Sequence, residues 1–235
     1  MNTAIITGAS RGFGFALAAE LARRDWNLVV DARAHADLSA AGAELDALGA
    51  GRIEAIAGDV NDPLHTALLV ETAAGFGGFL LLVNNAGILG PSPRPPLAEY
   101  PIDVFEQVLA ANLTAPLRLI QHSLPYLRNS DGTVINITSD AAVEPYEGWG
   151  GYGAAKAGLE QMSNVLAAEE PRVRVLWFDP GDMRTRMHQE AFPGEDISDR
   201  PLPETRVPAL VRLIEGDYPS GRYLAAELLS ESVGA

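Results

Sequence analysis

Thr3-Ala4-Ile5-Ile6-Thr7-Gly8-Ala9-Ser10-Arg11-Gly12-Phe13-Gly14 is the stretch from which the fold of this chain can be read. Thr3–Thr7 is a short β-rich run, and Gly12–Arg24 that follows is rich in Ala and Leu, as a helix is. Between them, the glycines permit a tight turn and let a ligand approach the backbone closely. The start of the helix offers unpaired N–H groups and the positive end of its dipole, a natural seat for phosphate. The same sequence would equally serve as a βα turn that binds nothing, so the context has to decide.

Working outward, the alternation continues. Asn27–Asp31 reads as a strand, Ala34–Leu48 as a helix, Arg52–Ala57 as a strand and Asp62–Gly75 as a helix. Phe79–Asn84 is a continuous apolar run, the pattern of a strand covered on both faces. Ile102–Leu127 reads as one long helix, Thr133–Thr138 as a strand, Gly153–Ala168 as a helix and Val173–Phe178 as a strand. A helix near Pro208–Glu215 and a last strand at Arg222–Ala225 follow a polar, Pro-rich stretch. This predicts an α/β fold in one domain over 1–235: a doubly wound, mostly parallel sheet of seven strands with helices on both faces. Ligand sites in such sheets lie at the carboxyl ends of the strands.

The bulk properties narrow the classes. The 235 residues are 47% hydrophobic and 20% charged, ordinary for a globular domain. No apolar run approaches the roughly 18 residues of a membrane span, and no basic leader precedes Thr3, so a cytoplasmic protein is expected. A net charge of −14 disfavours nucleic acid and anionic membrane as partners. The absence of cysteine excludes disulfides, thiolate zinc sites and cysteine nucleophiles. His35, His65, His122 and His188 are scattered without metal-ligand spacing and are read as surface groups; no metal site is expected.

Lys156 is the only lysine, against 16 arginines, and it stands four residues after Tyr152 in Tyr152-Gly153-Ala154-Ala155-Lys156. On a helix that spacing places both on one face. A phenol titrates near pH 10, too high for efficient acid/base work at neutral pH. A neighbouring ammonium favours the phenolate, so the lysine is expected to bring the tyrosine's pKa down. Such a pair suits giving a proton to a carbonyl oxygen or taking one from an alcohol. Ser139 ends the Thr133–Thr138 strand thirteen residues before Tyr152. No G-x-S-x-G surrounds it, which argues against a hydrolase nucleophile.

Taken in order, Thr7-Gly8-x-x-x-Gly12-x-Gly14, Asn84-Asn85-Ala86-Gly87, Ser139, Tyr152-x-x-x-Lys156 and Pro180-Gly181-x-x-x-Thr185 resemble the motifs of the short-chain dehydrogenase/reductase (SDR) family, which has a Rossmann fold. The resemblance runs from Thr3 to about Leu224. It implies an NAD(P)-dependent oxidoreductase acting on a small ketone, aldehyde or secondary alcohol. In that reading Tyr152 is the general acid/base, and Lys156 holds the nicotinamide ribose and tunes Tyr152. Ser139 stabilises charge on the substrate oxygen, and the backbone of Asn112 holds a water that links the lysine to solvent.

The resemblance also implies the cofactor contacts. Gly8, Ser10, Arg11, Gly12, Phe13 and Gly14 face the phosphates, Asp59 and Val60 the adenine, and Asn85, Ala86 and Gly87 the adenine ribose. Pro180, Gly181, Met183 and Thr185 hold the carboxamide. The position that carries an acid in the family's NAD enzymes falls on Ala32, with Arg33 next, which implies NADP(H) through an arginine fork on the 2′-phosphate. Asp31 stands one residue earlier, and a slip of one residue would turn it toward the ribose and favour NAD(H). Leu89, Ala141, Tyr146, Trp149, Met187 and Phe192 are expected to line the substrate pocket under a mobile lid at about 181–203.

The carboxyl-terminal Tyr223-Leu224-Ala225-Ala226-Glu227 replaces the glycine pair that many relatives carry. A homodimer through the long helices is therefore expected more than a homotetramer. A relative that binds NADP(H) as a regulator without turnover is the alternative reading, and such relatives usually lack the tyrosine or lysine retained here.

Overall fold

A computed structural model of the protein describes residues 1–231. Seven strands form one sheet: β1 (Thr3–Ile6), β2 (Asn27–Ala32), β3 (Ile53–Ala57), β4 (Phe79–Asn84), β5 (Thr133–Ile137), β6 (Arg174–Asp179) and β7 (Gly221–Leu224). Their spatial order is β3-β2-β1-β4-β5-β6-β7. Every pairing is parallel, so the expectation of a mostly parallel sheet becomes an entirely parallel one. The order reverses between β1 and β4, and that switch point opens a crevice at the strands' carboxyl ends.

Nine helices are described: α1 (Gly12–Arg23), α2 (His35–Asp46), α3 (Pro63–Phe76), α4 (Ile102–Leu109), α5 (Ala115–Ser130), α6 (Gly150–Glu169), α7 (Arg186–Ala191), α8 (Val207–Glu215) and α9 (Ala225–Glu231). Alternation along the strands assigns the two faces, since successive side chains point to opposite sides. Ala4 and Ile6 of β1, with Leu28, Val30, Leu81, Val83, Ile135 and Phe178, pack under α1, α2 and α8. Ile5, Val29, Leu82, Val134 and Val175 pack on the other face against α3, α5 and Leu166 of α6. A strand buried on both faces has no polar alternation to show, which is why Phe79–Asn84 reads as one apolar run.

Three features depart from expectation. The helix read as continuous over Ile102–Leu127 is interrupted by a π-helical turn at Ala110–Thr114. Helix α6 starts three residues before the expected Gly153, which puts Tyr152 in its first turn. The short helix α7 lies within the segment read as a lid, and α9 follows β7 directly; neither was read from sequence. Among the described residues, no helix is long and apolar enough to cross a membrane, and no group of three or more His, Asp or Glu is arranged to hold a metal.

Candidate active site

A cleft of 1980 Å³ runs along the carboxyl edge of the sheet, from the turn after β1 to the loop after β6. At one end it is lined by Gly8, Ser10, Arg11, Gly12 and Phe13, with Ala32 and Arg33 beside them. Gly8 and Gly12 adopt φ +67° and +60°. At Gly12 a β-carbon would meet only the Thr185 methyl, at 3.8 Å, so the space above the turn is open.

Asp31 is fully committed beneath this turn. Its Oδ1 accepts the Gly8 N–H at 2.8 Å, and its Oδ2 lies 3.1 Å from Nε2 of His65. The carboxylate therefore braces the turn while also lining the cleft. His65, expected at the surface, is buried as its partner. Arg11 is paired with Asp37 of α2. Arg33 is exposed, with no hydrogen bond or ion pair to any described residue.

These observations test whether a dinucleotide fits. The open glycine turn heads α1 with free N–H groups. Asp59, Val60, Asn85, Ala86 and Gly87 line the middle of the cleft, and Pro180, Gly181, Met183 and Thr185 line its far end. The donor set fits a dinucleotide. Gly14 is the exception: it does not line the cleft but packs under Asn85, whose Nδ2 holds the carbonyls of Thr7 and Gly8 at 2.8 and 3.2 Å.

At the far end Ser139, Tyr152 and Lys156 come together. Ser139 follows β5 and caps a short 3-10 turn: its Oγ accepts from Ala141 N at 3.2 Å and donates to Asp140 Oδ1 at 2.9 Å. Lys156 is buried, donates to Ile137 O at 2.7 Å, and holds its Nζ 5.4 Å from the centre of the Tyr152 ring. No described residue hydrogen-bonds to the Tyr152 hydroxyl.

Burial raises the pKa of this phenol above its ordinary value, and the carboxylates of Asp179 and Asp140 add to the effect. That reverses the expected direction, because a lysine whose proton is held by Ile137 O at this distance does not offset desolvation. Burial also lowers Lys156, to about 8, against the opposing pull of Asp179. The cofactor-free site thus holds a neutral phenol, a proton donor.

Asn112 sits inside the π turn and is completely buried. Its side chain grips the Ile88 backbone twice, accepting from N at 2.9 Å and donating to O at 2.8 Å. Pro116, four residues on, has no N–H to give the Asn112 carbonyl. The wide turn and the proline together release that carbonyl from regular helical bonding.

The pocket wall is aromatic. Trp149 makes edge contacts with Tyr146 and Tyr152 and lies 6.2 Å from Phe192, ring centre to ring centre. Leu89, Met183 and Met187 line the same end. Ala141 does not: it is buried behind the cleft, its carbonyl against Gly153. His188, read as a surface residue, lines the cleft and is ring-packed on Phe192 at 4.9 Å. Arg94, unremarked in sequence, stacks its guanidinium over Trp149 and Phe192 at 4.2 and 4.7 Å.

Thr185 caps α7, its Oγ1 accepting from His188 N at 3.2 Å. Three charged residues that no motif marks are linked here: Asp179, which lines the cleft, and Glu160 and Arg222 behind it. Glu160 alone had a local signal, four residues beyond Lys156 on the same helical face.

Comparison with known proteins agrees with this geometry. The family model described as short chain dehydrogenase matches residues 2–196. The chain is 38% identical over 201 residues to a sepiapterin reductase of Mus musculus, covering 80% of this chain and 76% of that protein. It is 36% identical over 188 residues to a serine 3-dehydrogenase of Rhizobium radiobacter, covering 78% and 73%. The structure of an alcohol dehydrogenase from Thermococcus sibiricus, complexed with 5-hydroxy-NADP, superposes with a TM-score of 0.86 at 25% identity, covering 95% of both chains. With the glycine turn, the cleft and the Ser139–Tyr152–Lys156 cluster in place, the chain belongs to the short-chain dehydrogenase family of NAD(P)-dependent oxidoreductases.

Proposed function

We propose that the chain is an NADP(H)-dependent carbonyl reductase, or alcohol dehydrogenase in reverse, acting on a small ketone, aldehyde or secondary alcohol. One observation carries this reading: a continuous cleft has an unpaired arginine and an open glycine turn at one end, and at the other a neutral phenol beside a buried lysine and a serine. NADPH supplies the hydride when bound.

Every other role falls to the chain. The turn Gly8–Phe13 binds the phosphates, and Arg33 binds the 2′-phosphate. Pro180, Gly181, Met183 and Thr185 orient the carboxamide end. Ser139, its hydroxyl turned from Asp140, donates to the substrate oxygen, and Tyr152 Oη delivers the proton to it. Lys156 holds the ribose and, with the Asn112 carbonyl, the route by which the proton is replaced. Trp149, Phe192, Tyr146, Leu89 and Met187 exclude water from the substrate side, with residues 181–203 as a lid. The preference for NADP(H) is supported by Ala32 and Arg33, by the commitment of Asp31 to Gly8 and His65, and by the cofactor analogue in the Thermococcus structure. The wall of aromatic and sulfur side chains suits a partly apolar substrate.

A homodimer fits the same reading, supported by the exposed Leu117 and Tyr126 of α5 and Val165 of α6.

The test is oxidation of NADPH and NADH against a panel of ketones, aldehydes and quinones, with Tyr152→Phe alongside and cofactor binding followed by nicotinamide fluorescence. Turnover with NADPH that Tyr152→Phe loses by orders of magnitude, with cofactor binding retained, is the expected result. Near-normal turnover by that variant refutes the role of Tyr152, and tight binding with no turnover across the panel favours a sensor.

A further inference from the structure

Tyr152, Lys156 and Glu160 follow one another at i, i+4 and i+8, so one face of α6 carries a phenol, an ammonium and a carboxylate in line. Glu160 is buried, and its Oε1 accepts from Thr138 Oγ1 at 2.7 Å and from Arg222 Nε at 2.9 Å. Arg222 comes from β7, the edge strand. Its Nη2 reaches Asp179 Oδ2 at 2.9 Å and faces the Ser139 carbonyl at 3.5 Å. Asp179 in turn accepts the Gly181 N–H at 2.9 Å. One guanidinium thus joins α6, the end of β5 and the end of β6, each of which carries part of the proposed reaction site.

Charge gives this arrangement its meaning. Asp179 and Glu160 are two buried carboxylates, and Lys156 and Arg222 are the two cations among them. The other charged or titratable groups around Tyr152 are Asp140 and Tyr146 on the segment after β5, and Asp182 and His188 on the lid. Tyr146 is hydrogen-bonded to Asp140, and Asp182 lies 3.6 Å from both His188 and Arg200. Of these groups Asp140 acts on Asp179 through space, and its charge adds to the negative side of the cluster. Without Arg222, Asp179 and Glu160 would lose the cation they share.

We propose that Arg222 is a positioning residue for the reaction: it holds Ser139 and the α6 face in register and neutralises Asp179 and Glu160, so that Tyr152 can release its proton. This rests on the reading of Tyr152 as the acid/base. The pair Asp179–Arg222 is then an electrostatic control on the phenol, with the carboxylate tightening the proton and the guanidinium loosening it.

The test uses the alcohol corresponding to the panel carbonyl that the full chain reduces fastest. In that direction Tyr152 must be ionised, and the positive nicotinamide of the oxidised cofactor would favour its phenolate relative to the cofactor-free site, so kcat/KM rises with pH through its titration. Arg222→Met is expected to lower kcat/KM tenfold or more and to move this rising limb to higher pH by about one unit. Arg222→Lys should keep the limb near its wild-type position. Asp179→Asn should move it the opposite way, to lower pH.

Cofactor binding and thermal unfolding are followed for each variant. If Arg222→Met does not fold, Asp179→Asn and Arg222→Lys decide the matter. An Asp179→Asn limb at the wild-type pH overturns the proposal, as does a slower Arg222→Met whose limb has not moved, since that is a structural loss alone. Loss of turnover in Tyr152→Phe together with unmoved limbs removes this proposal and leaves the functional reading standing; retained turnover in Tyr152→Phe removes both.

Discussion

Replacing Gly14 by alanine tests how the cofactor turn is held. A β-carbon at Gly14 would lie 2.4 Å from Asn85 Nδ2 and 2.6 Å from the Gly8 carbonyl oxygen. Neither neighbour is the loose end of a long side chain. Asn85 Nδ2 is tied to Thr7 O and Gly8 O, and Gly8 N is tied to Asp31. Relief of the clash therefore displaces the turn or breaks the amide's bonds. Overpacking of this kind costs about 1–3 kcal/mol, and a lost hydrogen bond adds about 1 kcal/mol. Alanine's helix propensity returns no more than about 1 kcal/mol.

The net loss is about 1–3 kcal/mol, and for a domain of this size Tm should fall by roughly 2–12 °C. Gly75→Ala is the matched control: it lies exposed in α3 with nothing within 4 Å of the added carbon. That change should raise Tm by about 1–3 °C through propensity alone. Scanning calorimetry of both variants, with NADPH affinity measured by fluorescence, provides the check. If Gly14→Ala unfolds within a degree of the wild type and binds NADPH equally well, the turn is not held as described here.

Other consequences are as direct. Arg33→Ala should weaken NADPH about tenfold or more, on the scale of one charge-assisted hydrogen bond, and leave NADH unchanged; equal effects on both in titration calorimetry would remove Arg33 from the 2′-phosphate. Lys156, lowered from 10.5 to about 8 by burial, gives up its proton in the folded chain before the unfolded chain does. The cost of burying its charge is therefore complete below pH 8 and disappears as pH rises toward 10.5. The stability of the cofactor-free wild type relative to Lys156→Met should accordingly rise across that window by up to about 3 kcal/mol. Urea unfolding at several pH values that shows a flat difference would contradict this. Arg94→Ala removes the cation stacked on Trp149 and Phe192, worth about 1–2 kcal/mol in a desolvated setting. It should speed proteolysis within 181–203 and raise KM more than it lowers kcat; an unchanged cleavage rate would show that Arg94 does not secure this segment.

Much of this molecule was legible because its signals are local. The order of strands and helices follows from periodicity and from glycines and prolines at their borders. Tyr152 and Lys156 share a face because a helix has 3.6 residues per turn. The glycine turn could be read from eight adjacent residues. The interruption at Ala110–Thr114 leaves no mark in the apolar pattern, because Ile102–Leu127 keeps good helical periodicity through it. The cause lies in Pro116, whose effect on a carbonyl four residues back is invisible to an apolar pattern. Motif position puts Gly14 at the cofactor, and Ala141 is expected in the substrate pocket, yet each packs one layer behind the cleft, since a glycine motif encodes the shape of a turn as well as its contacts.

What remained illegible depends on which strand ends meet. Asp31 was read as a possible ribose ligand, and only the approach of α3 reveals that His65 and Gly8 already use both its oxygens. The direction of Tyr152's pKa shift failed for the same reason. In the sequence its titratable neighbour is Lys156, four residues away; in the fold Asp179, twenty-seven residues on, and Asp140 also act on it. Arg222 is 62 residues from Glu160 and 43 from Asp179, and nothing around it marks it as more than a cation near the carboxyl terminus. A parallel sheet brings the carboxyl ends of strands distant in sequence to one edge. Motif reading finds the groups that touch a ligand from that edge, and it is blind to the ion pairs beneath it that decide how tightly those groups hold their protons.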